Sequence, residues 1–210
     1  MAIGRLEAPH KIAFACLYKR KELLVSALST EVEVRPVFEI DHARTYSMEL
    51  IVPVPYIQQP DQRTCWNACY KMMLRFKGLD ESAADSLPND AQMRTRGIMD
   101  DEFSACRDKL KLTSSIYQGF KTPQQLKEKL EYYGPIWASG FWADGHKHIV
   151  VIRGIRISWY SSESDISNWQ VYVNDPFRKL AGAEAKPSWW SFSRFAYKLN
   201  EVPFSCQHWM

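Results

Sequence analysis

The segment TCWNACYKMMLRF, residues 64–76, constrains the chain most, because its pattern is that of a buried helix with a cysteine in its first turn. Thr64 is a good N-cap and Cys65 becomes the first helical residue. Cys69, Met72, Met73 and Phe76 then recur at the three- and four-residue spacing of a core-facing stripe, and Gly78 stops the helix. Uncompensated amides and the positive dipole end at a helix start favour an anion, and a neighbouring imidazolium strengthens the effect, which is how a thiol becomes a nucleophile. Cys65 is the candidate for that role. Cys69, one turn further along the same face, reads as packing.

Two later stretches supply partners for such a thiol. Gly145-His146-Lys147-His148 runs directly into Ile149-Val150-Val151-Ile152, a β-branched run bounded by Gly154, so His148 stands at the entrance of a buried strand and is a natural general base. His146 is its competitor and reads as exposed or substrate-facing. A second strand-like run, Val171-Tyr172-Val173, ends in Asn174-Asp175-Pro176, where either Asn174 or Asp175 is placed to orient an imidazole on the neighbouring strand. Because adjacent strand residues point opposite ways, only one of the two faces His148. Asp165 and Asn168 are weaker options, and His10, His42 and His208 default to the surface. Cys65 and Cys69 with His146 and His148 offer four ligands for zinc, but structural zinc sites pair cysteines through a tight turn, and the metal reading leaves Asp175 unexplained.

The order Cys, His, Asp in these contexts resembles the papain-like cysteine peptidases. In that family a glutamine six positions before the nucleophile donates to the developing oxyanion, and Gln59 occupies that offset in VPYIQQPDQRTCWNACYKMML, ahead of its neighbours Gln58 and Gln62. Trp66, GPIW at 134–137, the HIVVI strand and NDPF at 174–177 are most similar to the avirulence-type cysteine proteases that plant-pathogenic bacteria inject into host cells. The double-glycine leader peptidases of bacteriocin exporters look like more distant relatives. The resemblance covers about residues 53–200; nothing before Pro53, and nothing in the long segment 156–168, carries it. It implies catalytic Cys65, His148 and Asp175, an oxyanion donor in Gln59, no cofactor or metal, and a cysteine endopeptidase cleaving intracellular proteins of a host or rival cell. It also implies synthesis in a bacterial cytoplasm, delivery by a specialised secretion system, and an immunity or inhibitor protein in the producer if the target is bacterial.

Composition is consistent with a globular enzyme: hydrophobic residues are 46% and charged residues 24% of the 210. The net charge of +3 is mild and the basic residues are scattered among acids, as in KRKE at 19–22, so no nucleic-acid stripe is predicted. No run approaches the ~18 apolar residues that would span a bilayer, the N-terminal stretch has no signal-type apolar core, and no membrane partner is expected. Five cysteines, an odd number, do not form a disulfide framework and point to a reducing compartment. Two rival functions share parts of this pattern. A peptidoglycan amidopeptidase of papain-like fold would keep the Cys-His order, and a catalytically silent module would use a tryptophan-rich surface such as Trp189 and Trp190 for a protein partner.

The predicted fold class is α+β and papain-like, with a helical half carrying the nucleophile packed on an antiparallel β-sheet. Residues 1–50 read as a β-rich N-terminal extension and 51–210 as the protease domain. Met48 to Ile57 is an extended lead-in, and Pro88 to Gly97 reads as a polar loop. Asp100 or Asp101 caps a helix with Phe103, Cys106 and Leu110 on one face, and Thr122-Pro123 opens another with Leu126, Leu130 and Tyr133. Strands are expected at 136–142, 148–157 and 169–174, followed by an aromatic helix over Ser188 to Leu199.

Overall fold

A computed structural model describes residues 48–114, 120–143, 146–157, 165–177 and 187–210. The readings made for residues 1–47 lie outside these.

Helix α1 (Cys65–Phe76) is the centre of the molecule. Ten of its twelve residues are buried, far more than the one-sided stripe predicts, which means that it is enclosed by structure and not laid on a surface. Its two basic residues escape by pairing sideways: Lys71 Nζ lies 2.8 Å from Asp85, and Arg75 forms a two-pronged pair with Glu81. Both acids belong to the 3₁₀ turn Glu81–Asp85 that follows the helix.

The sheet is antiparallel throughout, with order β5-β4-β3-β2-β6 and β1 added against β3. Its strands are β1 (Glu49–Ile51), β2 (Ile136–Ala143), β3 (His146–Ile157), β4 (Trp169–Asn174), β5 (Ser188–Ser191) and β6 (Cys206–Gln207). β3 is central and, from His148 to Ile152, fully buried, as expected of a continuous β-branched run. β2 and β4 follow the predicted ranges closely. β1 lies inside the extended lead-in, and β6 has too little sequence to announce itself.

Three rings hold α1 to the sheet. Tyr70 stacks on Trp137 of β2 with centroids 5.0 Å apart, and Phe103 meets the same indole edge-on at 5.2 Å. Gln207 of β6 completes the joint, accepting from the Tyr70 hydroxyl at 3.1 Å and donating to the Phe103 and Phe204 carbonyls. Helices α2 (Asp90–Arg96), α3 (Phe103–Lys109) and α4 (Pro123–Tyr133) join α1 in the helical half. α4 starts as the sequence dictates: Thr122 accepts from the Gln125 amide while Gln125 reaches back, and Pro123 occupies the first turn.

Several local expectations are corrected. Residues 88–97 are not a polar loop but contain α2, because Met93 is buried and Arg94 pairs with Asp90 four residues back and with Asp85. Neither Asp100 nor Asp101 caps α3; a 3₁₀ turn over Asp100–Glu102 precedes it, and Glu102 is the N-cap. The aromatic helix predicted over 188–199 splits into β5 and a short α5 (Phe192–Tyr197), since the Ser188–Ser191 backbone pairs with β4 and leaves only the second half to coil. His208 is not a surface residue: it is buried, stacked on Tyr133 at 3.9 Å.

β3 bends at a register irregularity between Ile152 and Gly154. A Cβ on Gly154 would stand 2.6 Å from the Leu50 carbonyl and 3.1 Å from Tyr172 Cβ, so this position lets β1 and β4 close on β3 from both sides. Gly154→Ala is expected to destabilise the fold by about 1–3 kcal/mol, read as a lowered urea midpoint with an unchanged slope.

Candidate active site

Cys65 is the first residue of α1, 8% exposed. Thr64 precedes it as predicted, but its side chain does not cap the helix; the hydroxyl donates weakly to the Asp61 carbonyl at 3.4 Å instead. Asp61 organises this loop, accepting from the Arg63 amide through Oδ1 at 2.8 Å and from Gln59 Nε2 through its carbonyl at 2.5 Å. The first-turn amides of α1 are therefore not taken up by a capping hydroxyl.

His148 sits at the entrance of β3, paired in register with Gly140 of β2, and is 5% exposed. Its Nε2 lies 2.7 Å from Asp175 Oδ1, one residue beyond the end of β4. Cys65 is close enough to the same ring to act on its protonation. Burial alone would push the imidazole pKa down; hydrogen bonds to Asp175 and Cys65, with their negative charge, outweigh it and raise the value to about 10. His146, two residues earlier, is exposed.

Asn174 and Asp175 have different partners. Asn174 is fully buried and faces α1, donating to the Val54 carbonyl at 3.3 Å and lying 3.5 Å from Met72 Sδ. Asp175 turns to His148. Its Oδ1 also accepts from the Phe177 amide at 2.9 Å, and the Phe177 ring stands edge-on to the imidazole at 5.9 Å. Cys69 is buried beneath the site and donates to the Ile149 carbonyl at 3.4 Å, and burial pushes its thiol pKa well up, so it packs and does not react.

Gln59 is buried at 1% exposure, and its backbone amide donates to the Pro176 carbonyl at 2.9 Å, tying the loop before Cys65 to the segment after Asp175. Its Nε2 spends one proton on Asp61 and keeps another, while Oε1 is buried with no hydrogen-bond partner. Tyr56, which no sequence motif singles out, donates its hydroxyl to the Asp175 carbonyl at 3.0 Å. Burial and the nearby Asp175 charge push that phenol up to about 12, so it remains a donor. Arg153 is also unannounced: it donates to the Val52 and Val54 carbonyls at 3.0 and 3.2 Å and to Asn174, lacing the lead-in to β3 and β4.

Among the described residues no group of three His, Cys, Asp or Glu converges to hold a metal ion, and Cys65, Cys69, Cys106 and Cys206 are all free thiols. A separate cavity of about 310 Å³ lies beside β5 and α5, walled by Trp142, Trp189, Trp190 and Phe195 with Arg194 at its edge. None of the four candidate residues lines it.

A nucleophile at a helix start, an imidazole on a strand and a carboxylate at the next strand's end make a unit suited to acyl transfer. A comparison with curated proteins gives no match. The family model of the papain-like cysteine protease AvrRpt2 matches residues 48–198, a span that contains Gln59, Cys65, His148 and Asp175. The chain therefore belongs to the AvrRpt2 family of papain-like cysteine proteases and is a cysteine peptidase.

Proposed function

We propose that this peptidase is an endopeptidase acting through a Cys65-His148-Asp175 triad with Gln59 as oxyanion donor. The observation that carries the reading is the single buried imidazole hydrogen-bonded to Asp175 at 2.7 Å, with its protonation also biased by the helix-start Cys65. His148 takes the Cys65 proton, the thiolate attacks the peptide carbonyl, and the second Gln59 N–H with the Cys65 amide holds the oxyanion. His148 then protonates the leaving amine, water attacks the thioester, and the acid is released with the thiol restored. Asp175 fixes the ring tautomer throughout, and Tyr56 and the Gln59–Pro176 bond hold Asp175 in place. No cofactor or metal enters this scheme.

The substrate of a protease is a protein, and the finer reading is that this enzyme is a bacterial effector or toxin acting on intracellular proteins of a host or rival cell, delivered by a specialised secretion system. The support is the kinship with AvrRpt2 and the sequence resemblance to injected proteases. If the target is bacterial, the producer needs an immunity or inhibitor protein, because an unmasked cytoplasmic protease would injure its maker. Expression of the wild type in a bacterial cytoplasm without any partner is then expected to be toxic while Cys65→Ala is harmless; equal growth of both would remove the antibacterial version.

Labelling by a thiol-directed reagent, located by peptide mass, tests the triad. Cys65 is expected to react fastest of the five cysteines and well below pH 7 in the wild type, and to lose that advantage in His148→Ala. Ordinary labelling in both proteins would refute the pairing. Gln59→Ala is expected to lower kcat on a peptide substrate by about 10²–10³ with little change in KM, whereas Cys65→Ala abolishes acyl-enzyme formation.

The pH profile follows from the sign of the His148 shift. A pKa raised from 6.5 to about 10 keeps the imidazole protonated, and the ion pair intact, until the pH climbs toward that value, so activity falls on the alkaline side near 10. Asp175 is one of the groups raising it, so Asp175→Ala is expected to bring the alkaline limb down toward 6.5. An unmoved limb would mean that Asp175 does not hold the imidazolium.

A further inference from the structure

The strand end that carries His148 is weakly held by its own ladder. Gly140↔His148 is the last regular rung between β2 and β3, and the register breaks between Gly140 and Ala143 before pairing resumes at His146. A nucleophile–base pair needs its geometry fixed to a fraction of an ångström, so something other than the ladder must support this end.

One carboxylate oxygen links to both strands at that point, to β3 directly and to β2 through Asn200. Asp100 Oδ1 lies 2.6 Å from Lys147 Nζ, on the residue next to His148, and accepts from Asn200 Nδ2 at 3.0 Å. Asn200 is buried at 4% exposure and is locked to β2: its amide donates to the Ser139 carbonyl at 2.9 Å and its side chain reaches Ser139 Oγ at 3.4 Å. Ser139 pairs with Ile149, the residue after His148. Asp100 itself belongs to the helical half, in the 3₁₀ turn that leads into α3, whose Phe103 packs on Trp137 and so on Tyr70 of the helix bearing Cys65. The Lys147 ammonium also stands 5.8 Å over the Phe103 ring. Lys147 and His148 point to opposite faces of the strand, so the tether acts on the backbone and leaves the imidazole side clear for the thiol.

We propose that Asp100 is a positioning residue: with Lys147 and Asn200 it pins the β2–β3 strand end to the helical half and thereby sets the imidazole of His148 against the thiol of Cys65. This rests on the triad reading above. The ion pair itself is partly exposed, with side chains 40% and 23% accessible, so its removal is expected to cost the fold little while it lets the strand end shift.

The test is the rate of Cys65 labelling against pH, with thermal unfolding, for the full-length wild type, Asp100→Ala, Lys147→Ala, Lys147→Arg and the Asp100→Ala/Lys147→Ala double variant. Asp100→Ala and Lys147→Ala are each expected to slow labelling at neutral pH about tenfold. Their acid limb should move up by about one pH unit, because a displaced imidazolium stabilises the thiolate less. The melting temperature should stay within a few degrees, Lys147→Arg should keep the wild-type profile, and the double variant should be no worse than either single change. If the wild type shows the fast, low-pH reaction and the single variants keep its acid limb, or lose rate only in step with unfolding, Asp100 is merely structural and this inference is overturned by itself. If the wild-type thiol reacts no faster than an ordinary one, the triad reading falls and takes this inference with it.

Discussion

The burial of α1 is the constraint on which the rest of the structure depends. A helix with ten of twelve residues out of solvent has to be covered on almost every side; β2, β3 and the 3₁₀ turn after it pack on its surface, and Gln207 of the C-terminal strand bonds its Tyr70. The Tyr70–Trp137–Phe103 cluster is where these coverings meet, since one indole is shared by the nucleophile helix, β2 and α3. Burying large aromatic faces at such a junction contributes on the order of 25 cal/mol per Å² of apolar area, and it fixes orientation as well as proximity. The helix start, and with it Cys65, is delivered to a defined place because the helix body has nowhere else to go.

Charge at the site is arranged around one buried imidazole. Burial disfavours a protonated His148, and a single carboxylate and a thiol oppose that preference strongly enough to reverse it. The carboxylate is in turn constrained from behind, by the Phe177 amide on Oδ1 and the Tyr56 hydroxyl on its backbone carbonyl. Asn174, one residue earlier, is spent on packing between Val54 and Met72. The polar groups of the active site therefore have little freedom in the ground state. An unsatisfied buried atom, Gln59 Oε1, is the local exception in a loop otherwise saturated by Asp61. Electrostatic catalysis of acyl transfer depends on such fixed donors, since dipoles that need not reorganise contribute most to the transition state.

The lead-in before Cys65 shows how backbone geometry at a distance serves the site. Gly154 allows β1 to approach β3, Arg153 laces Val52 and Val54 to the sheet, and the chain then arrives at Tyr56 and Gln59 already bound on both sides of Asp175. Three segments far apart in sequence, the lead-in, β3 and the end of β4, thus share one framework around the imidazole. Arg153 is half-buried, stacks over Tyr172 and meets carbonyls where a carboxylate would be the usual partner, which keeps the lead-in attached without placing a second acid near His148.

Much of this was legible in the chain alone, and for identifiable reasons. The helix from Cys65 to Phe76, the strands of 136–142 and 169–174 and the Thr122-Pro123 helix start are written in local periodicity and capping chemistry, which act over a few residues and need no tertiary partner. The motifs that led to the papain-like family are likewise local strings. What tertiary structure decided is everything that depends on a partner far along the chain. Residues 188–191 are apolar enough for a helix and become an edge strand only because β4 offers them a ladder, and Met93 turns a polar stretch into α2 because there is a core for it to enter. Thr64 is an N-cap by composition, yet Asp61 takes its hydroxyl. Adjacent strand residues point opposite ways, so alternation alone could not say whether Asn174 or Asp175 would meet His148, and only the family resemblance pointed to Asp175; in the fold the carboxylate just beyond β4 is the one that meets the ring.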